Sequence, residues 1–218
     1  MRFHPAGKTI IRNTIILVIV LNVLGWLSVM QQAFSILLPV ISLFVLIAVL
    51  QFFRYPSRIA RTSEKQILAP ADGTVCLIEE SEEQDYLKKR CLKVSIFMSP
   101  LNVHINWVPI AGEITFLKHK TGKFYAAFKD KSAEENERFC TVIRIPDGRE
   151  IMANQVAGAM ARRILNFLHE GQQVKINTEM GFIRFGSRVD LYLPTDTDLS
   201  VKLGDKVSGN KSIIGELS

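Results

Sequence analysis

Hydrophobic residues follow two distinct patterns along this chain, and each pattern predicts a different kind of structure. From residue 13 to residue 53 the side chains are mostly apolar and none is charged. A bilayer crossing needs about 20 residues, so this run is long enough for two membrane-spanning helices. A secretory signal peptide would have a shorter apolar region of about 7–15 residues. The run divides near residues 28–32, which predicts one helix over roughly 14–30 and a second over roughly 33–53.

After residue 61 the pattern changes to short runs rich in Val, Ile and Phe, separated by Gly, Pro and charged turns. Such runs predict a mostly β domain. The predicted strands cover residues 73–79, 91–98, 103–108, 112–116, 140–145, 151–156, 181–185, 188–193 and 213–217. A helical pattern is predicted only at 161–168, where Ile164, Leu165 and Leu168 share one side. We therefore expect a membrane hairpin with a basic juxtamembrane segment (1–61), followed by a β-rich domain (62–218).

A partial self-similarity relates two segments near the C-terminus, 171–183 and 204–216. Each begins Gly-x-x-Val and continues as a strand, a polar turn and a second strand that starts near a Gly. This arrangement resembles the half-repeats of the flattened β-barrel in biotinyl and lipoyl carrier domains, which predicts a flattened barrel or sandwich. Those carriers present a modified Lys at the hairpin tip between the halves. The corresponding residues 185–188 contain no Lys, so the chemistry must differ.

The distribution of charge separates the same two parts of the chain. Lys and Arg number 27 against 21 Asp and Glu, and none of the acidic residues falls within residues 1–53. Basic residues flank the hairpin on both sides, and the loop inside it has none, so both ends should face the cytoplasm. We therefore expect the β domain on the cytoplasmic side of the cell (inner) membrane. The flanking cluster suits anionic lipid headgroups better than nucleic acid. The flanking basic residues are Arg2, Lys8, Arg12, Arg54, Arg58, Arg61 and Lys65.

One predicted strand carries a histidine away from its apolar face. Side chains alternate along a strand, so His104 shares a face with Asn106, while Ile105 and Trp107 lie on the other. This placement favours a cleft or solvent position for His104. Histidine is also the side chain best suited to proton transfer near neutral pH. By pattern alone, a catalytic and a structural role for His104 are equally favoured.

Two further segments are ambiguous when each is considered by itself. Asp72, within Pro-Ala-Asp-Gly, fits an ordinary turn, although its carboxylate could also orient a base. Gly186-Ser187 lies between two predicted strands and is a common turn dipeptide. The three cysteines (Cys76, Cys91 and Cys140) are widely spaced without a Cys-x-x-Cys pair, which argues against a disulfide framework and against a metal site. We expect them to be half-buried residues on strands.

Together these segments resemble the phosphatidylserine decarboxylases, specifically the short, membrane-anchored bacterial and archaeal type. The matching stretches occur in the family's order and span residues 52 to about 194. They are 52–58 (FFRYPSR), 69–73 (APADG), 97–104 (FMSPLNVH), 135–138 (ENER), 155–164 (QVAGAMARRI) and 181–190 (GFIRFGSRVD).

The resemblance implies a proenzyme that cleaves itself between Gly186 and Ser187. The Ser187 hydroxyl would attack the Gly186 carbonyl, and elimination followed by hydrolysis would leave an N-terminal pyruvoyl group derived from Ser187. The chains 1–186 and 187–218 would remain associated. This pyruvoyl cofactor would form a Schiff base with phosphatidylserine in the membrane and accept electrons as CO2 leaves, yielding phosphatidylethanolamine. His104 would protonate the resulting carbanion and, with Asp72, assist self-cleavage.

This chain departs from the longer family members at one position. They have a second His three residues after the first, where this sequence has Trp107. Either His104 serves both self-cleavage and decarboxylation, or another group, together with Asp72, serves one of the steps. A guanidinium suits bidentate contacts with phosphate. We hypothesise that the lipid phosphate is bound by one of three arginines: Arg162, Arg163 or Arg188.

Other interpretations of the sequence stay open. A membrane-tethered, non-catalytic carrier-like or adaptor β domain is one, although the missing hairpin-tip Lys argues against a carrier. A pyruvoyl decarboxylase of a soluble amine is another, but it gives no reason for the apolar hairpin. The same reaction on an archaeal ether-linked serine lipid fits equally well. An exposed edge on a flattened β domain also favours a homodimer.

Overall fold

The computed structural model describes residues 2–27, 31–123, 125, 135–158, 163–184 and 187–218, with the backbone alone for residues 31–35. The chain forms two compact units, residues 1–56 and 57–218. The stretch 57–61, which the sequence groups with the hairpin, thus belongs to the second unit. The first unit contains a 3-10 turn (Pro5–Gly7), helices α1 (Lys8–Leu27) and α2 (Gln31–Phe52), and strands β1 (Arg2–Phe3) and β2 (Arg54–Tyr55).

The first unit is a helical hairpin in which α1 packs against α2. The side-chain amide of Asn22 donates to Ser42 Oγ at 2.9 Å and to the Val18 carbonyl at 2.8 Å, which satisfies a polar group in an apolar surrounding. The segment Pro5–Leu27 is long and apolar enough to cross a membrane. Helix α1 begins at Lys8, before the predicted start at residue 14. The sequence pattern missed its first turns because they carry polar residues, which interrupt the apolar run.

The second unit is mostly β, as predicted. Its described strands are β3 (Gln66–Leu68), β4 (Gly73–Glu83), β5 (Lys89–Met98), β6 (Ile105–Trp107), β7 (Gly112–Lys120), β8 (Arg138–Arg144), β9 (Glu150–Ala157), β10 (Arg163–Asn166), β11 (Gln173–Val174), β12 (Glu179–Arg184), β13 (Ser187–Leu193), β14 (Asp198–Leu199), β15 (Lys206–Val207) and β16 (Ile213–Glu216). Eight of them form one sheet in the order β11-β7-β8-β9-β13-β5-β4-β15, curled into half a barrel. Two three-stranded sheets, β10-β12-β6 and β14-β16-β3, accompany it.

The two halves of the large sheet have the same arrangement on either side of the β9–β13 boundary. Strand β11 joins the start of β7 through Val174 and Gly112, and β15 joins the start of β4 through Val207 and Gly73. A glycine with positive φ opens each approach, Gly171 at 79° and Gly204 at 90°. Such a backbone conformation favours glycine. The self-similarity predicted from the two Gly-x-x-Val segments is therefore present in the fold.

Two of the three hydrophobic clusters described in the second unit bear on the position of the site. The larger cluster is built mainly from Val, Ile and Leu side chains of β3, β4, β5, β8, β9 and β13. The smaller cluster, called here the site cluster, adjoins the start of β13. Its buried members are Ala71, Met98, Ala157, Ile164, Ile183 and Val189.

Three expectations about local structure are corrected by the fold. The helical turn predicted at 161–168 is wrong over residues 163–166, which form strand β10 paired with β12; residues 161 and 162 lie outside the described residues. The predicted cleft or solvent position of His104 is also wrong, because its side chain is fully buried. Cys91 and Cys140, expected to be half-buried, are buried on their strands.

Candidate active site

Ser187 is the first residue of β13, a strand that is paired on both sides. It lies opposite Met98 of β5 and opposite Ala157 of β9, and its side chain is fully buried. Its hydroxyl donates a hydrogen bond to Met98 Sδ at 3.2 Å. A thioether is a weak acceptor and cannot take up a proton at neutral pH, so this contact orients the hydroxyl without activating it. Gly186, the other half of the predicted cleavage pair, lies outside the described residues.

His104 lies just before β6, with its ring buried. Its backbone carbonyl accepts from Ile183 N at 3.2 Å, which attaches it to β12 beside the site cluster. Its Nδ1 lies 3.0 Å from the carbonyl oxygen of Asn102. A carbonyl oxygen can only accept, so this contact places the proton on Nδ1 and leaves Nε2 as the basic nitrogen. The ring centroid lies 6.5 Å from that of Phe182, which forms part of its surroundings.

A buried amide that the sequence did not single out lies next to the serine. Asn106 is fully buried, and its Nδ2 lies 3.6 Å from Met98 Sδ, the same sulfur that accepts from Ser187. Gln155 Nε2 donates to Asn106 Oδ1 at 2.7 Å, and Asn166 Nδ2 lies 3.3 Å from Gln155 Oε1. The chain of side chains therefore fixes the orientation of the Asn106 amide. The strand alternation that pairs Asn106 with His104 was the one signal in the sequence that could have revealed it.

Asp72 is held by a second set of contacts. Its carboxylate accepts from both terminal nitrogens of Arg58, with Nη2 to Oδ2 at 2.9 Å, and from the backbone N–H of Gly209 at 2.8 Å. The hydrogen bonds described for Asp72 thus go to Arg58 and Gly209 rather than to His104. Because Ala71 belongs to the site cluster, the backbone at Asp72 still borders the same region as Ser187.

Trp107 occupies the position at which the sequence comparison above expects a second histidine in longer family members. Its ring lies under the Arg58 guanidinium, 5.4 Å from centroid to Cζ. A Cβ on Gly209 would approach the same ring to 2.6 Å, so only glycine fits there. The tryptophan therefore has a packing role, and it supports the arginine that binds Asp72.

The three arginines hypothesised to bind phosphate have different surroundings. Arg188 is buried and donates to Asp190 through Nε at 2.7 Å and Nη2 at 3.0 Å. Burial lowers the pKa of Arg188, but the charge and hydrogen bonds of Asp190 outweigh it and raise the pKa overall. Arg163 is exposed at the start of β10. Arg162 lies outside the described residues.

Comparison with known proteins identifies the relatives of this chain. Residues 45–215 match the family model described as phosphatidylserine decarboxylase. Proteins named phosphatidylserine decarboxylase proenzyme are 40% identical in Bacteroides fragilis (100% of this chain, 96% of that protein) and 40% identical in Parabacteroides distasonis (100% of both). One from Cytophaga hutchinsonii is 46% identical over 81% of this chain and 80% of its own. Since the family model covers most of the chain, including His104 and Ser187, and these relatives are at least 40% identical, the chain belongs to the phosphatidylserine decarboxylase family.

Proposed function

We propose that this chain is a phosphatidylserine decarboxylase proenzyme, which cleaves itself at Gly186-Ser187 and then converts phosphatidylserine to phosphatidylethanolamine and CO2. The observation that carries the proposal is the environment of Ser187. Its hydroxyl is buried at the start of a doubly paired strand and meets only a weak thioether acceptor among the described residues. A hydroxyl with no strong partner can turn toward the carbonyl that precedes it and toward a base.

The self-cleavage is a sequence of balanced steps. Ser187 Oγ attacks the Gly186 carbonyl carbon, the peptide C–N bond breaks, and an ester with a free amine results. Loss of the α-proton of residue 187 then expels the Gly186 carboxylate and leaves dehydroalanine. Tautomerisation and addition of water release ammonia and leave a pyruvoyl group at the start of chain 187–218. A hydroxyl nucleophile needs an adjacent base for the first step, and the neutral Nε2 of His104 suits that task.

The surroundings of Ser187 fit the group that the reaction produces. A pyruvoyl group has the same three carbons as serine and lacks its amine nitrogen, so it needs no additional room. The site cluster around it is apolar, and the buried amide of Asn106 supplies a hydrogen-bond donor. When formed, the group supplies a carbonyl that binds the substrate amine and takes up the electron pair released with CO2. His104 then delivers a proton to the substrate carbon that has lost its carboxylate.

Asp72 is proposed to support both steps through the structure, by holding the two cleaved chains together. Its carboxylate bonds Arg58 from the chain that would become 1–186 and Gly209 from the chain that would become 187–218. The hydrogen bond that Gly209 N–H donates to Asp72 therefore connects the two products beside the site cluster. The sheets connect the two products as well. Strands β13 and β16 would belong to chain 187–218, and they pair with β5, β9 and β3 of chain 1–186. These contacts support continued association of the two chains after cleavage.

The membrane segment agrees with a phospholipid substrate. An N-terminal apolar helix suggests membrane association, and the substrate's acyl chains stay in the bilayer. We place the catalytic unit on the cytoplasmic side of the inner membrane, because basic residues flank the hairpin at both ends. This location keeps the enzyme close to its substrate.

The test of the proposed function is the mass of the purified protein under denaturing conditions. We expect two species, residues 1–186 and residues 187–218, with the smaller one lighter by one ammonia than a chain beginning with serine. Ser187→Ala should remain one species and should release no CO2 from phosphatidylserine vesicles. Ser95→Ala is the matched control, since Ser95 is a buried serine on the neighbouring strand β5, and it should split and turn over lipid normally. Wild-type protein that stays whole in detergent and lipid would contradict the proposal.

A further inference from the structure

A groove of about 580 Å³ lies beside the first turns of helix α1, entirely within the first unit. Most of its wall is apolar, and two basic side chains stand at one end. None of its lining residues takes part in the chemistry proposed around Ser187, so the groove needs an explanation of its own. The lining residues are Phe3, His4, Pro5, Lys8, Ile11, Arg12, Ile15 and Ile16.

The helical part of the groove is a single stripe that runs from charged to apolar. Lys8, Arg12 and Ile16 follow one another at a spacing of four residues, as do Ile11 and Ile15, and side chains at this spacing lie on one face of a helix. At 1.5 Å per residue, the stripe extends about 12 Å along the axis from Lys8 to Ile16. In a membrane-crossing helix, basic residues near the end lie at the headgroup level and apolar residues further along lie among the acyl chains. The stripe therefore has the same polarity as a phospholipid.

The wall opposite the helix is held in place by hydrogen bonds. Phe3 lies in β1, which pairs with β2, and the backbone N–H of the next residue, His4, donates to the Phe53 carbonyl at 2.8 Å. The buried His4 ring accepts from the backbone N–H of Ala6 at 3.2 Å through Nδ1 and stacks on Tyr55. Since the wall is already ordered, a ligand loses little free energy in arranging it.

The two cations of the groove have no acidic partner in their unit. Residues 1–56 contain neither Asp nor Glu, and no ion pair between described residues includes Lys8 or Arg12. Both side chains are exposed. The Arg12 guanidinium lies 3.4 Å from the neutral amide oxygen of Asn13, which leaves its charge uncompensated. Like charges four residues apart on a helix destabilise each other, so an anion between them would relieve a repulsion.

The apolar wall restricts the class of anion that fits. Phe3 is 41% exposed, Ile15 40% and Ile16 53%, so a free phosphate on the two cations would leave this surface uncovered. A neutral lipid would cover the surface but leave the two positive charges unpaired. A phosphate that carries an acyl chain and a net negative charge satisfies both ends of the groove.

We propose that this groove binds one anionic phospholipid, with its phosphate between Lys8 and Arg12 and an acyl chain along Ile15 and Ile16. The charge pattern of the sequence predicts only a general attraction to anionic headgroups, whereas the groove gives that attraction a defined site. The inference is independent of the proposed function, because it uses neither self-cleavage nor decarboxylation. Phosphatidylserine and phosphatidylglycerol share the required chemistry, and the experiment separates them.

Binding is tested on full-length Ser187→Ala protein, which is expected not to split. The protein in neutral detergent is titrated with phosphatidylglycerol, phosphatidylserine or phosphatidylcholine, and bound lipids are counted by native mass spectrometry. We expect one molecule of either anionic lipid to bind at least about fivefold more tightly than phosphatidylcholine. Binding of phosphatidylserine alone would mean that its serine is recognised, and equally tight binding of phosphatidylcholine would mean that charge is not. Either result would overturn the proposal.

Substitution of the two cations distinguishes a defined site from diffuse attraction. Lys8→Gln and Arg12→Gln should each raise the dissociation constant of phosphatidylglycerol about fivefold or more. Arg2→Gln is the matched control, because Arg2 is an exposed cation of the same unit that does not line the groove. It removes the same charge and should leave the affinity unchanged. An equal loss in all three variants would indicate diffuse electrostatic attraction and refute the site.

The apolar end of the groove is tested by filling it. Ile15→Trp places a larger side chain in the groove and should weaken phosphatidylglycerol binding several-fold, although both cations remain. Ile19→Trp is the control, since Ile19 is an exposed isoleucine of α1 outside the groove. Glycerophosphoglycerol, which has no acyl chains, should not displace the bound lipid. Displacement at similar concentrations, or equal affinity in the two Trp variants, would refute the acyl-chain contact.

This proposal and the proposed function fail in different ways. Wild-type protein that never splits, yet binds one anionic phospholipid through Lys8 and Arg12, would refute the decarboxylase function and keep the groove. Protein that splits and decarboxylates lipid, with both cations dispensable for binding, would keep the function and refute the groove.

Discussion

Ser187 donates its hydroxyl to the thioether of Met98 across the β13–β5 ladder, at 3.2 Å. The same sulfur lies 3.6 Å from the amide nitrogen of Asn106, so two buried donors share one weak acceptor. Neither donor is held strongly in this arrangement. The serine can therefore rotate away from the sulfur at little cost when the cleavage step begins.

Replacing Asn106 by Leu tests the role of this buried amide. The change removes the donor next to Met98 and leaves Gln155 Nε2 buried without its acceptor, which should lower the free energy of unfolding by about 1–3 kcal/mol. Because Met98 and the serine hydroxyl are then less well oriented, self-cleavage should slow about tenfold or more. A time course of intact masses measures the rate. Gln173→Ala, at an exposed amide on the edge strand β11, should cleave normally, and wild-type cleavage by Asn106→Leu would contradict the role.

His104 can be tested as the base by removing its ring. General bases contribute about 100–10,000-fold, so His104→Ala should slow self-cleavage by at least about 100-fold. Added imidazole should restore part of the rate by occupying the buried space that the ring leaves. The exposed His169 offers a matched control, and His169→Ala should split normally. Cleavage of His104→Ala at the wild-type rate would assign the base to another group.

Residues that lie close together in sequence were the ones whose structure could be predicted. The strands that contain Val94 and Leu191 were predicted because each has an apolar run. The turns at Gly171 and Gly204 were predicted because a positive φ favours glycine at those positions. The pairing of Asp72 with Gly209 joins residues far apart in the chain, and no local pattern encodes it. The orientation of Asp72 toward Arg58 was missed for that reason.

Short strands were the second feature of the fold that could not be predicted from the sequence. Strands β11, β14 and β15 have two residues each, too few to show any period. At β10 the spacing of Ile164, Leu165 and Leu168 fits one side of a helix. In the fold Ile164 enters the site cluster, while pairing with β12 sets the backbone as a strand. Hydrogen bonds to a distant strand decided the structure here, and local propensity did not.

The Arg58–Asp72 pair should contribute more to stability than to chemistry. Arg58→Ala leaves a nearly buried carboxylate with one backbone partner, so we expect a loss of about 3 kcal/mol. Asp72→Asn should also destabilise, and the double variant should lose less than the two single losses combined, because both remove one interaction. Denaturant unfolding of the full chain in detergent measures these values. If Asp72 instead orients His104, Asp72→Asn would abolish cleavage while Arg58→Ala would not.

Thiol reactivity should report the burial of Cys140. Burial raises the pKa of the Cys140 thiol from 9.0 to about 11, against the opposing effect of Arg138. A higher pKa means less thiolate, so at pH 8 the reactive fraction is about 100-fold smaller than for a thiol at 9.0. Iodoacetamide labelling of the folded protein should be slower by at least that factor than in urea, and should rise about tenfold per pH unit up to pH 11. Equal labelling in both states at pH 8 would contradict this environment.

Replacing Arg188 separates its structural role from phosphate binding. Arg188→Ala leaves the carboxylate of Asp190 buried without its partner, and such a change costs about 3–5 kcal/mol. Replacing both residues, as Arg188→Met with Asp190→Leu, should recover most of that loss, because no unpaired charge remains. In the Ser187→Ala background, denaturant unfolding measures both variants. The double variant should bind glycerophosphoserine, the headgroup portion of the substrate, as tightly as its parent, whereas a tenfold weaker affinity would assign phosphate binding to Arg188.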